Sequence, residues 1–180
     1  MNAPTEGPNL DELLTLLPSA DFLQSFDYVP AAEVPEPYHG LLVHEHHMTV
    51  TVEGYHGDLV DVQVLESRQD GDSYTRKILL ALRKTGKIVQ FGLVRIHLQY
   101  CSPEVRAEIL ARRTPLGRIL IQHDVLRRIE PTGFLRVLPG PAMRKWFNLA
   151  EPTPTYGRLA FIHCDGQPAI ELLEVVAPMG

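Results

Sequence analysis

Apolar positions recur at every second residue through much of this chain, so the pattern predicts strands joined by tight turns. From Asp58 to Gln69 the alternation runs around Val60, Val62 and Val64, and Asp70-Gly71 then supplies the dipeptide favoured by a two-residue type I′ turn. The next strand begins near Ser73, runs to about Arg83, turns at Thr85-Gly86-Lys87 and returns over Ile88 to Tyr100, an antiparallel meander. Strands return from Val125 to Val137, and a last hairpin joins Tyr156 to Cys164 with Gln167 to Ala177 through Asp165-Gly166. Met48-Thr-Val-Thr-Val-Glu53 alternates as cleanly and reads as a strand, whereas Tyr38 to His47 fits either a helix or a strand.

Helix signals are fewer. Asn9 with Glu12 three positions on makes a capping box for a short helix through Leu17. Ser102-Pro103-Glu104 combines a capping oxygen, a proline at the first helical position and a first-turn acid, predicting a helix that ends near Arg113. Thr114-Pro115 repeats the signal for Leu116 to Ile121. Residues 1–8 are expected to be flexible and 9–37, broken by Pro18, Pro30, Pro35 and Pro37, to form an irregular helical wrap. Pro139 to Pro154 reads as a loop with a helical turn around Trp146. Sequence neighbours among the strands are hairpin partners. The expected class is therefore α+β, one antiparallel sheet with helices packed mainly on one face, in a single domain over residues 1–180.

Composition narrows the function classes. The 180 residues are 44% hydrophobic, enough for a substantial core. A formal net charge of −5 with both signs mixed leaves no broad basic face for a phosphate backbone, so nucleic acid is not an expected partner and any anion must be caught locally. No apolar run approaches the ~20 residues that span a bilayer, and the N-terminus has neither basic flank nor apolar stretch, so no membrane is expected and the protein should be cytoplasmic. Cys101 and Cys164 lie far apart without C-x-x-C spacing, which supports neither a disulfide framework nor a thiolate zinc site. His44-Glu-His-His47 invites a metal, yet no third ligand position and no H-E-x-x-H pattern accompany it, so none is assigned. No nucleophile elbow, P-loop or dinucleotide fingerprint occurs.

Two charges fall in apolar registers. Tyr74, Arg76, Ile78, Leu80 and Leu82 share one face of their strand, and Ile170, Leu172, Glu174 and Val176 share one face of the last. A guanidinium turned into a core requires an anion, and a carboxyl among aliphatic neighbours has its pKa raised unless a cation lies beside it. Arg76 and Glu174 either pair with each other as a structural bridge or flank a ligand, with Arg76 clamping a carboxylate and Glu174 handling a proton or a hydroxyl. Arg127, Arg128, Arg136 and Arg158 are expected on solvated faces. The helix start at Thr114-Pro-Leu-Gly-Arg118 is a weaker anion contact, where Gly117 would let a ligand approach the backbone.

The segments HHMTVTVE, YTRKILL, RTPLGR and ELLEVVAP occur in an order and spacing that carry a resemblance from about Leu41 to the C-terminus. The chain resembles the chorismate pyruvate-lyase (4-hydroxybenzoate synthase) and chorismate lyase-like family. That resemblance implies an antiparallel sheet with helical flaps over a buried ligand cavity, working without metal or organic cofactor. It implies Arg76 on the ring carboxylate, Glu174 at the other end of the ring, and substrate contacts from main-chain groups at Met48 and Leu116, with Gly117 beside them. Chorismate would then lose pyruvate to give 4-hydroxybenzoate, with Arg76 and Glu174 as the catalytic pair. The same fold also serves as a ligand-binding domain in some transcription regulators. The competing expectation is thus a non-catalytic binding or sensor domain for an aromatic or sugar acid, and oligomeric state stays open.

Overall fold

The computed structural model describes residues 7–17 and 21–179; the expected flexibility of residues 1–6 and the break at Pro18 lie outside them. The strands are β1 (Leu23–Val29), β2 (Val60–Asp70), β3 (Ser73–Leu82), β4 (Ile88–His97), β5 (Arg127–Pro139), β6 (Thr155–Cys164) and β7 (Gln167–Val176). They form one antiparallel sheet in the order β1-β5-β6-β7-β4-β3-β2. The turns explain much of the register. Asp165 and Gly166 both take positive φ (50° and 79°), as a type I′ hairpin between β6 and β7 requires. Asp70 instead pairs with Ser73, so the β2–β3 loop is Gly71-Asp72 with positive φ at Gly71 only, one residue on from the expected turn.

Helices cover both faces unequally. On one face α1 (Leu10–Thr15) and α6 (Pro141–Trp146) pack on Leu79, Phe91, Leu93, Leu159, Leu173 and Val175. The other face carries α2 (Tyr38–Leu42), α3 (Met48–His56), α4 (Pro103–Ala111) and α5 (Leu116–Gln122), over Ile78, Leu80, Val94, Ile162 and Leu172. Most helices therefore lie on one side, as the α+β expectation holds. No helix among the described residues is long and apolar enough to cross a membrane.

The Met48–Glu53 stretch is a helix rather than the expected strand. Met48, Thr49 and Val52 are buried and Val50 is half exposed, a helical spacing, and Gly57 closes the helix in the left-handed region at φ 65°. β-Branched residues disfavour a helix by only ~0.5 kcal/mol each, so packing of α3 against α2 and α5 decides. The irregular wrap expected over 9–37 contains an edge strand, β1, paired with β5. At α1 the Asn9 side chain accepts from the Glu12 N–H at 3.1 Å, but the reciprocal half of the box is replaced, because Glu12 takes a hydrogen bond from Arg95 at 2.7 Å.

Candidate functional site

On the side covered by α2–α5, adjacent strands set the inward side chains level with one another. Arg76 lies opposite Val94, Ile78 opposite Gly92, Gly92 opposite Glu174, and Glu174 opposite Arg158. Gly92 leaves the floor open between the two predicted charges; a Cβ there would stand 3.1 Å from Ile78 Cδ1. His47, Met48 and Thr49 at the start of α3 and Pro115, Leu116 and Gly117 at the start of α5 form the roof. Between floor and roof is a cavity of about 40 Å³, room for a few waters. Met48, Arg76, Leu116, Gly117 and Glu174 all line it.

Arg76 is 1% exposed. Among the described residues its Nη1 reaches only the Ile109 carbonyl, at 3.5 Å, and its Nε has no hydrogen-bond partner. No carboxylate of the described residues forms an ion pair with it, so the two predicted charges do not bridge to each other. Burial pulls the guanidinium pKa below its ordinary value; the Tyr74 hydroxyl opposes that and Arg112 adds to it. A buried cation left in this state costs several kcal/mol, so the site calls for an anion.

Glu174 has a different cation. Its Oε2 accepts from Arg158 Nε at 2.8 Å. Arg158, expected on a solvated face, is instead 1% exposed. Its other nitrogens donate to main-chain carbonyls, Nη1 to His44 at 3.0 Å and Leu42 at 3.5 Å, and Nη2 to His46 at 3.0 Å. One guanidinium thus ties β7 to the chain that leads into α3. The sequence reading missed it, although Arg158 shares a register with Ala160 and Ile162, which was the available signal. Gln90, also in the lining, shares a register with Ile88, Val94 and Ile96, the same kind of signal, whereas Thr49 carried none.

The histidines are occupied by the protein itself. His47 Nε2 accepts from Arg127 Nε at 2.6 Å, which fixes a neutral ring. Burial, then Arg127, Arg158 and His46, push its pKa down to about 4. His44 and His46 stack with ring centres 5.5 Å apart. Among the described residues no group of three His, Cys, Asp or Glu side chains could hold a metal ion. Burial pushes the Cys164 thiol up to about 12, far from a reactive thiolate. Gly117 has a packing reason of its own: a Cβ there would lie 3.0 Å from His47 Cβ and 3.1 Å from Thr49 Oγ1, so it allows α5 to meet the start of α3. Arg118 beside it turns away to Glu53 and to the Val60 carbonyl.

No known family profile and no curated protein sequence matches this chain. Solved structures do. PhnF from Mycobacterium smegmatis is similar at 12% identity over 73% of this chain and 63% of its own, with a TM-score of 0.55. The match therefore spans less than two thirds of PhnF. The ligand-binding domain of a putative GntR-family transcriptional regulator from Bordetella bronchiseptica matches at 14% identity over 65% of this chain and 84% of its own, TM-score 0.48. A GntR-family transcriptional regulator from Bacillus cereus matches at 13% identity over 66% and 92%, TM-score 0.43. None of these is a chorismate lyase, and the expectation of a lyase is corrected accordingly: the likeness to PhnF is one of fold and brings no lyase activity to this chain. The cation that the sequence left open beside the Glu174 carboxyl is Arg158. What the chain shares with PhnF is its fold, a single antiparallel α+β sheet of the chorismate lyase-like kind.

Proposed function

We propose that this protein is a small-molecule binding domain that takes a small cyclic carboxylic acid, aromatic or sugar-derived, with the carboxylate on Arg76. The observation that supports this reading most directly is a buried guanidinium whose Nε has no partner among the described residues, in the wall of a cavity whose remaining lining is largely apolar. A ligand carboxylate would supply the missing charge and two parallel hydrogen bonds, while Met48, Ile78, Leu80, Val94, Leu116 and Leu172 would hold the ring. A ring acid needs more than the present volume. Because the start of α3 is tied down by Arg158, the extra room would have to come from an outward shift of α5, which Arg118 links to Glu53 and the Val60 carbonyl.

Calorimetric titration with benzoate and 4-hydroxybenzoate tests this. Binding is expected in wild type, with a thermal stabilisation of about 2.7 kcal/mol at a ligand concentration 100 times Kd. Arg76→Met should abolish binding and raise the melting temperature of the ligand-free protein, because an unmatched buried charge is replaced by an apolar chain of similar length. Chorismate incubated with the protein should release no pyruvate. Equal binding by wild type and Arg76→Met would refute the assignment, as would no binding of either acid.

A further inference from the structure

Resting on that reading, we infer that Gln90 at the far pole of the ligand and Glu174 on its flank together select ring acids that carry two neighbouring hydroxyls over acids with one or none. Gln90 is 2% exposed, lines the cavity, and its Oε1 is buried without a donor among the described residues. A buried amide oxygen left unpaired is destabilising, and native proteins rarely keep one without a use.

Its place in the sheet says which end of a ligand it faces. Gln90 is level with Leu80 on β3 and Val176 on β7, whereas Arg76 is level with Val94, four residues along β4. Four residues of strand are about 13 Å. Arg76 and Gln90 therefore stand at opposite poles, a cation at one and an acceptor at the other. Glu174 is level with Gly92, midway along β4 between the levels of Gln90 and Arg76, and is the diagonal cross-strand neighbour of Gln90, about 7–8 Å away at the backbone. Glu174 Oε2 is taken by Arg158, and Oε1 accepts no hydrogen bond from the described residues.

The half of the site away from Arg76 thus offers two acceptors in succession, Gln90 at the pole and Glu174 on the flank one step nearer Arg76. Two acceptors are satisfied by two donors on adjacent atoms, and a vicinal diol supplies them. A single hydroxyl leaves one acceptor buried and unmatched. Benzoate leaves both.

The test titrates benzoate, 4-hydroxybenzoate and 3,4-dihydroxybenzoate against wild type, Gln90→Met and Gln90→Leu. Wild type should bind the dihydroxy acid about tenfold more tightly than the monohydroxy acid. Either substitution should reduce that preference to about twofold or less, with the benzoate Kd changed by no more than about twofold. Leucine is the companion because a flexible methionine can fold into the cavity and block all three acids. Both ligand-free variants should melt above wild type, since an apolar chain replaces an orphaned acceptor. A dihydroxy preference that survives both substitutions overturns the inference. Benzoate binding that requires Arg76 but no preference among the three acids also overturns it, and leaves the carboxylate reading standing. No benzoate binding in wild type brings down both.

Discussion

Arg76 and Arg158 are equally buried, at 1% exposure, yet their surroundings are opposite, and the two should respond oppositely to the same substitution. Arg158 meets a carboxylate and three carbonyls. Arg158→Met leaves Glu174, only 12% exposed, without its cation and strips the His44 and His46 carbonyls of their donor, so stability should fall by about 3–5 kcal/mol in urea denaturation. Adding Glu174→Leu to that variant should restore much of the loss, because removing both members of a buried pair is far less damaging than removing one. Arg76→Met should stabilise. If both single substitutions move the denaturation midpoint in the same direction, the distinction between a matched and an unmatched guanidinium is wrong. Period-two counting along β3 and β7 was enough to expose Arg76 and Glu174. It would also have exposed Arg158, which general expectation for arginines sent to the surface. Its carbonyl partners were beyond sequence reasoning, since they sit 112–116 residues away in a segment with no pattern of its own.

At the scale of elements, the readable parts were those where local chemistry and tertiary packing demand the same conformation. Asp165-Gly166 supplies the positive φ angles a type I′ turn needs, and Ser102 caps α4 by accepting from the Val105 N–H at 3.3 Å. The start of α3 was unreadable because threonine and valine alternate there while burial follows the helix. β1 was unreadable because an edge strand half open to solvent shows no alternation. The glycines of this region separate the effects of packing and propensity. Gly54 is an exposed position of α3 with nothing within 4 Å of an added Cβ, so Gly54→Ala should stabilise by about 0.5–1 kcal/mol through helix propensity alone. Gly117→Ala, also helical, should instead cost about 1–3 kcal/mol. Its Cβ would press on His47 Cβ at 3.0 Å, and His47 cannot retreat while Arg158 holds the carbonyl before it and Arg127 holds its ring. Thermal denaturation of the two variants checks this, and a stabilising Gly117→Ala would mean that the seam between α3 and α5 is loose.

Across the whole molecule the same buried histidine sets how stability responds to acid. His47 titrates at about 4 when folded and near 6.5 when unfolded, so between those values the unfolded chain binds more protons. Stability from this group is therefore complete above about pH 6.5 and is lost as pH falls toward 4, by about 3 kcal/mol in all. His44 and His56, whose pKa values burial also lowers, act in the same direction. Glu171 belongs to a later window. Burial raises its pKa, but Arg95 and His97 outweigh that and hold it below the usual carboxylate range, so its contribution fades only at pH values under those of ordinary carboxylates. Loss of stability should consequently begin near pH 6, before carboxylates protonate. Urea unfolding at pH 7, 5.5 and 4.5 measures the slope, and His47→Gln, which leaves Arg127 an acceptor but removes the titrating ring, should flatten it. An unchanged slope in that variant would assign the acid response to other groups and remove His47 from the account. A flattened slope would tie the roof of the cavity, through one neutral imidazole, to the acid stability of the entire fold.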